Sequence, residues 1–431
     1  MDTLTVKLKQ HTPLIHFQHE QCGATLRASE VKPQLDRFLL HRLGREGKVG
    51  GCSVDEALES GKSKAKTKKW LVGSGEHPSL NYKMRIVPNS EPDIEPIERV
   101  TVNRNGNRRN EKFPCFFANM GDGTEQKQFS YVRNGLTMTL FFPSIKVKEK
   151  EPAIENGPAL SEWLGEGDKL AEFFFRYNFG TRGSKGFGSF YIDENDDQYV
   201  PPEDIYRKLK SYRFFVNSTD KKILFGDIEL FYKFMREGIN FTNNFIPVSR
   251  RLYCKPLIWW YCKDVLGRGW EKEAIKKDLL RLSNYSDGAP NACYDVRDLL
   301  GLSSSESWRS YSKTIVKEVK DIDRMASPIL FKPILEGGRF VVYMNANTGI
   351  KAVGLKGLKD AKHIKISVQN RSREYDIPQN FSIAGFLKYF FEGNQYPFNA
   401  LVKDEYIGGD LYDRLKKIYN TIKTERAKLL G

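Results

Sequence analysis

Between residues 3 and 9 the chain reads Thr-Leu-Thr-Val-Lys-Leu-Lys, and Leu4, Val6 and Leu8 alternate with polar neighbours. That period of two predicts a half-buried strand. After an irregular stretch over residues 11–28, Leu35, Phe38, Leu39 and Leu43 recur at intervals of three and four, as an amphipathic helix requires. Ser29 is the expected cap, Pro33 falls early enough to be tolerated, and Gly44 is the expected stop. From residue 45 to about residue 78 the pattern dissolves into Gly, Ser and Lys, with Lys62, Lys64, Lys66, Lys68 and Lys69 crowded together. Such a run predicts a mobile basic insertion. Strand patterns return at residues 82–87 and 136–142, on either side of a polar, Arg- and Asn-rich stretch around residues 103–110 that predicts a protruding hairpin or loop. A helix over about residues 160–177, interrupted near Gly165 and Gly167, then runs through a glycine-rich turn into a short strand ending at Ile192.

The order strand, helix, strands, helix, strand predicts a ferredoxin-like βαββαβ plan with large insertions for residues 1–200. The basic insertion at about 45–78 and the glycine-rich loop at 180–188 fall inside it. Residues 201–320 have a mostly helical period, clearest at 223–234, 256–266 and 271–282, and predict a helical connecting region without a repeat of strands. Strand patterns at 329–334, 340–344 and 363–368, followed by helical ones at 383–391 and 411–428, predict a smaller α+β domain over residues 321–431.

Length agrees with more than one domain, since a chain of 431 residues exceeds what one hydrophobic core usually holds. At 40% hydrophobic and 13% aromatic residues, disorder throughout is excluded. No apolar run approaches the roughly 18 residues that span a bilayer, and the first residues do not read as a secretory signal, so no membrane association and a cytoplasmic location are expected. The six cysteines show no CxxC pairing, which points to reduced thiols rather than a disulfide framework or zinc ribbon. Lys+Arg 69 against Asp+Glu 54 leaves a net charge of +15. In a soluble protein that excess favours a polyanion, nucleic acid first, because each cation set on a phosphate releases condensed counterions.

Gly61-Lys62-Ser63 resembles the end of a phosphate-binding P-loop, but the required first glycine is replaced by Glu56 and neither the strand nor the helix of that motif flanks it. His16, His19 and Cys22 are potential metal ligands at short spacing. No fourth ligand is evident, so polar side chains on a loop are the stronger reading, and no metal or cofactor is expected. Gly180, Gly183, Gly186 and Gly188 stand in nine residues with Arg182 and Lys185 between them. Two explanations stand level: backbone freed to approach a phosphodiester, or a tight helix-to-strand connection that needs glycine. Dinucleotide binding is disfavoured because helix, turn, strand reverses a Rossmann unit. Phe173, Phe174, Phe175, Trp259 and Trp260 read as core positions on helical faces rather than stacking platforms.

The segment Phe175-Arg176-Tyr177-Asn178-Phe179-Gly180-Thr181-Arg182-Gly183-Ser184-Lys185-Gly186-Phe187-Gly188-Ser189 resembles the signature loop of the RAMP superfamily of CRISPR-associated proteins. Three further features resemble one branch, the first Cmr subunit of type III-B effector complexes: Thr12-Pro13-Leu14 after the first strand, Leu26-Arg27 with Ser29, Val31 and Lys32 opening the first helix, and Arg324-Met325-Ala326-Ser327-Pro328-Ile329. These motifs cover about a tenth of the chain, and Asn178-Phe179 stands where the superfamily more often has paired glycines. The resemblance implies an α+β protein of two ferredoxin-like, RRM-like domains. It also implies a non-catalytic role holding guide RNA and admitting target RNA near the guide 3′ end beside other RAMP subunits. Arg27, Lys32, Arg37, Arg182 and Lys185, with the loop glycines, are the expected RNA contacts. The alternative is a RAMP endoribonuclease processing CRISPR repeats, with His16 or His41 as general base, although in such enzymes the glycine-rich loop usually lies near the C-terminus. A general nucleic-acid or ribosome-associated protein is a third, weaker reading.

Overall fold

The computed structural model describes residues 2–15, 24–47, 53–73, 79–96, 99–102, 108–111, 114, 128–143, 159–242, 245–282, 293–308, 311–346, 353–393 and 395–431. The fold is mixed α+β, in two compact units: Met1–Lys210 with Lys332–Glu336, and Ser211–Phe331 with Gly337–Gly431.

The first unit contains β1 (Asp2–Gln10), α1 (Ala28–Arg45), α2 (Val54–Thr67), β2 (Lys83–Pro88), β3 (Leu136–Phe142), α3 (Leu160–Gly165), α4 (Lys169–Arg176) and β4 (Phe190–Ile192). Its four-stranded sheet runs β4-β1-β3-β2, each neighbouring pair antiparallel. Register sets Leu4 opposite Leu140, Val6 opposite Met138 and Leu8 opposite both Leu136 and Ile192. Val6, Leu8, Leu136, Met138 and Leu140 are buried, so the predicted alternation puts one face of the sheet in the core. α1 and α4 lie side by side, with the ring of Phe38 5.7 Å from Phe173 and 6.2 Å from Tyr177. The polar stretch near residue 103 is flanked by a paired hairpin, Arg99–Val102 with Arg108–Glu111.

Two expectations about this unit are corrected. α1 starts one residue before Ser29, its N-cap is Arg27 without a side-chain cap, and Gly44 lies inside the helix. The lysine-rich part of the basic insertion is no loose segment, since α2 occupies residues 54–67 of it. Ser53 and Glu56 form a capping box at its start, and Ala57, Gly61 and Ala65 repeat at intervals of four as a buried stripe. These small residues let the backbones of α1 and α2 come very close. A Cβ added to Gly61 would lie 1.8 Å from the Leu40 carbonyl oxygen, and one on Gly44 1.7 Å from that of Ala57. Lys64 donates to the Leu43 and Glu46 carbonyls, at 3.0 and 2.6 Å, and so satisfies the C-terminal end of α1.

The second unit contains β5 (Tyr212–Val216), α5 (Lys221–Arg236), α6 (Leu257–Asp264), β6 (Gly269–Trp270), β7 (Cys293–Tyr294), β8 (Ser305–Trp308), β9 (Lys313–Glu318), β10 (Ile329–Glu336), β11 (Arg339–Ala346), β12 (His363–Val368), β13 (Arg371–Asp376), α7 (Ile383–Phe391) and α8 (Asp410–Leu430). The last residues of β10, from Lys332, belong to the first unit. One sheet runs β5-β11-β10 and a six-stranded one β6-β7-β13-β12-β9-β8. Phe214, Phe231, Phe331 and Phe391 pack ring against ring in the core.

Residues 201–320 carry the expected helices, at 221–236, 257–264 and 271–279, but they also hold strands the sequence pattern did not predict, β5 to β9 among them. Their strands are short and some point charges inward: on β9 Ile315 and Lys317 are buried while Val316 is 42% exposed, which hides the expected alternation. Lys317 faces in because Asp298 (2.8 Å) and Glu306 (3.1 Å) await it there. Arg297 joins the same cluster by pairing with Glu271 and Glu306. Lys317, Arg297, Asp298, Glu306 and Glu271 each have an opposite partner, without which their burial would be prohibitive.

Candidate nucleic-acid interface

The glycine-rich loop is built against the chain that leaves β1. Buried Phe173, Phe174 and Phe175 anchor its helical side, and Gly180, Arg182, Gly186 and Gly188 all adopt left-handed backbone, with φ of 72°, 58°, 94° and 62°. Close approach as well as φ demands glycine at two positions. A Cβ on Gly180 would lie 2.5 Å from the Ile15 carbonyl oxygen, and one on Gly188 2.0 Å from that of Phe179. The Thr181 amide donates to Ile15 and that of Gly188 to Pro13, each at 2.8 Å. Thr12 completes the seam: its hydroxyl donates to the Gly186 carbonyl at 2.6 Å and accepts from the Ser189 amide at 2.9 Å. Thr12 and Pro13 thus hold the loop against the chain leaving β1.

Of the two readings of the glycines, the tight connection accounts for their backbone. The amides of Gly180, Thr181, Lys185, Gly186, Gly188 and Ser189 are taken up inside the protein, that of Gly180 by the Glu30 carboxylate at 2.6 Å. Gly183 also serves the loop, its carbonyl accepting from the Asn178 side-chain amide at 2.8 Å.

Sequence reasoning missed Lys332. Its ammonium is wholly buried and donates to the carbonyls of Tyr177 (2.9 Å) and Phe190 (2.7 Å), tying together the two ends of the loop. A lysine inside the apolar run Ile329-Leu330-Phe331-Lys332-Pro333-Ile334 was the available signal. His11 is a second omission. Its Nδ1 accepts from the Leu335 amide at 3.0 Å, and burial, helped by Lys332 and Lys9, holds its pKa well below the usual imidazole range.

The expected cations divide accordingly. Arg27 sits at the N-terminal end of α1, partly exposed, and Glu30 one turn on joins that end to the loop. Arg37 is exposed and Arg182 partly exposed. Lys185 is buried in the loop itself. Lys32 is a structural cation: its ammonium donates to Asp36 (2.6 Å), Ser79 (2.6 Å) and the Leu80 carbonyl (3.1 Å), with the Tyr82 ring 4.2 Å away. It therefore leaves the set of surface phosphate contacts.

A basic row along α1 takes its place. Arg37, His41 and Arg45 follow at intervals of four on one face, with Arg176 of α4 beside them. Burial first, then Arg45 and Arg176, push the His41 imidazole down to about 4, so it is neutral near pH 7. Next to this row Asp168 and Glu172 are shared among Arg42, Arg176 and Lys208 at 2.6–2.9 Å, two acids for three bases. Burial pushes both carboxyls up, and the surrounding cations outweigh it to hold them low. The face keeps a net positive charge suited to phosphates.

Among the described residues no cluster of three or more His, Cys, Asp or Glu side chains is arranged to hold a metal ion. His16, His19 and Cys22 lie outside those residues. Cys254, Cys262 and Cys293 carry free thiols, and no described helix is long and apolar enough to cross a membrane.

Two family models match the chain: the Cmr1 N-terminal domain over residues 1–239 and the Cmr1 C-terminal domain over residues 253–408. The chain belongs to the Cmr1 family. The resemblance to the first Cmr subunit, drawn from scattered motifs, is thereby borne out along most of the sequence. The crystal structure of apo Cmr1 from Pyrococcus furiosus is similar to this Cmr1-family chain at 9% identity and a TM-score of 0.33, over 80% of this chain and 87% of that one. A chain in the cryo-EM structure of type III-B Cmr-beta bound to cognate target RNA is similar at 11% identity and a TM-score of 0.36, over 83% and 98%. No curated protein matches.

Proposed function

We propose that this chain is a non-catalytic, RNA-binding structural subunit of a type III-B Cmr effector, working in the cytoplasm in antiviral defence. It holds guide RNA and helps admit target RNA near the guide 3′ end, beside other RAMP subunits. The family match over both halves of the chain carries the reading. The net charge of +15 and the exposed cations Arg37 and Arg45, with partly exposed Arg176 and Arg182, support it. The fold we assign is a duplicated ferredoxin-like plan. The first unit has the strand order β4-β1-β3-β2, and the sheet β5-β11-β10, with α5 after its first strand, corresponds to three strands of the same order.

The repeat-processing alternative draws little from His41. An imidazole whose pKa is about 4 is a weak base near pH 7, and the arginines beside it oppose the imidazolium it would have to become. Purification of the tagged chain from its native cell, followed by an inventory of RNA and protein, tests the proposal. Guide RNA with other RAMP subunits is the expected result; a lone chain that cuts repeat RNA, with cutting abolished by His41→Ala, would overturn it.

A further inference from the structure

The second unit carries a surface that the family assignment does not explain. Trp259 and Trp260 on α6 are both half-buried rather than core residues, with centroids 4.9 Å apart and planes at 81°. Lys255, Trp259 and Lys263 follow at intervals of four. The ammonium of Lys255 lies 5.2 Å and that of Lys263 5.4 Å from the centre of the Trp259 ring. Lys255 is also 6.0 Å from Trp270 on β6, whose register partner on β7 is Tyr294, and the Arg268 guanidinium lies 5.6 Å from the Tyr294 ring. Lys263 and Arg268 are exposed, Lys255 and Tyr294 partly so. Asp264 is the one acid between residues 255 and 268, and its carboxylate accepts a hydrogen bond from the Tyr396 hydroxyl.

Rings interleaved with cations are what an unpaired strand needs, because each base offers a π-face to an aromatic ring while its phosphates seek positive charge. The lysines resting on Trp259 do not block it. Exposed cation–π pairs are weaker than base stacking, and a phosphate beside the stacked base draws the ammonium groups to itself. A protein partner fits less well, since interface cores are depleted in lysine. We propose that this face binds single-stranded RNA, one base stacking on Trp259 and Lys255, Lys263 and Arg268 holding the flanking phosphates. The assignment rests on the RNA-binding reading and adds a base-stacking surface to it.

The test uses the full chain and a fluorescently labelled, unstructured oligouridine strand, with an abasic strand and an RNA duplex as controls. Trp259→Ala should weaken oligouridine binding roughly 5- to 150-fold, the loss of one stacked base. Trp259→Phe should restore most of it. The abasic strand should bind the wild type and Trp259→Ala alike, as should the duplex, and melting curves should coincide. Lys255→Glu/Lys263→Glu provides a second route should the alanine variant fold poorly, and it too must weaken strand binding. Unchanged oligouridine affinity in both variants overturns the proposal. So does an equal loss on duplex, or loss of partner subunits with RNA affinity intact, which would mark a protein interface. If the wild type binds no single strand at all, the broader functional reading falls; if it binds and responds to Arg37→Ala while Trp259→Ala is silent, this face alone is refuted.

Discussion

Replacing Gly61 by Ala asks whether the lysine-rich segment is a packed helix, and the two possible answers differ in sign. On a solvated helix the change removes a poor helix former and stabilises by about 1 kcal/mol. Against α1 the new methyl would lie 1.8 Å from the Leu40 carbonyl oxygen, where ordinary contact begins at 3.4 Å, so backbone must part by 3.4 − 1.8 = 1.6 Å. Neither partner is a flexible side chain that could swing away. Overpacking of this kind costs about 1–3 kcal/mol, and a net loss of up to about 2 kcal/mol is expected once the propensity gain is set against it. For a unit of this size that corresponds to a fall in Tm of up to roughly 8 °C. Calorimetric or denaturant unfolding reads it, with exposed Ser63→Ala as a control expected to stay within about 0.5 kcal/mol. A gain of stability in Gly61→Ala would refute the packing of α2 on α1. By the same reasoning, deleting residues 61–69 should unfold more than it trims.

Lys332→Met should destabilise by about 2 kcal/mol or more, since the Tyr177 and Phe190 carbonyls lose a buried donor; urea melts measure the loss, and limited trypsin digestion should newly cut at Arg182. Lys317→Met removes the buried ammonium shared by Asp298 and Glu306, leaving them Arg236 and Arg297 as their remaining partners, and should cost about 3 kcal/mol in denaturant unfolding. Folding keeps His11 and His41 neutral, so below about pH 6.5 the unfolded chain takes up protons that the folded chain refuses. Their contribution is full above that pH and falls away as the pH drops toward about 4, whereas the loss from low-pKa carboxylates such as Glu306 comes at still lower pH. Melting temperatures taken from about pH 7.5 to about pH 5 should decline in the wild type and less steeply in His11→Gln/His41→Gln.

Where apolar residues alternate or recur without interruption, the pattern predicted elements to the residue: Leu136–Phe142, His363–Val368 and Ile383–Phe391 match in both bounds. Each is a regular element with a strongly apolar buried face. Two of the failures share one cause, a charged side chain drawing attention from what lies beside it. Lysines at 62, 64, 66 and 68 read as a solvated run, while the helix was written in Ala57, Gly61 and Ala65 and in the Ser53–Glu56 box. Lys317 and Lys332 point inward because specific acceptors await them, and those acceptors are 11 to 155 residues away, beyond any local pattern. The glycine loop was legible as a site of unusual backbone. That its glycines accommodate Ile15 and Phe179 rather than a phosphate was not, because positive φ describes the chain and not its neighbour. Trp259 read as core since helical spacing alone does not reveal which face is covered.

The central claim, that the first unit meets an RNA backbone through α1 and the glycine loop, is tested most directly by the salt dependence of single-strand binding. Arg37→Ala/Arg45→Ala/Arg182→Asn is the variant to use, asparagine being tolerated at the left-handed backbone of residue 182. Each phosphate neutralised by a side chain contributes about 0.7 to the slope of log affinity against log salt, so removing these three cations should lower its magnitude by roughly 2, with sequence preference unchanged. A folded variant that keeps both the affinity and the slope of the wild type would contradict the account.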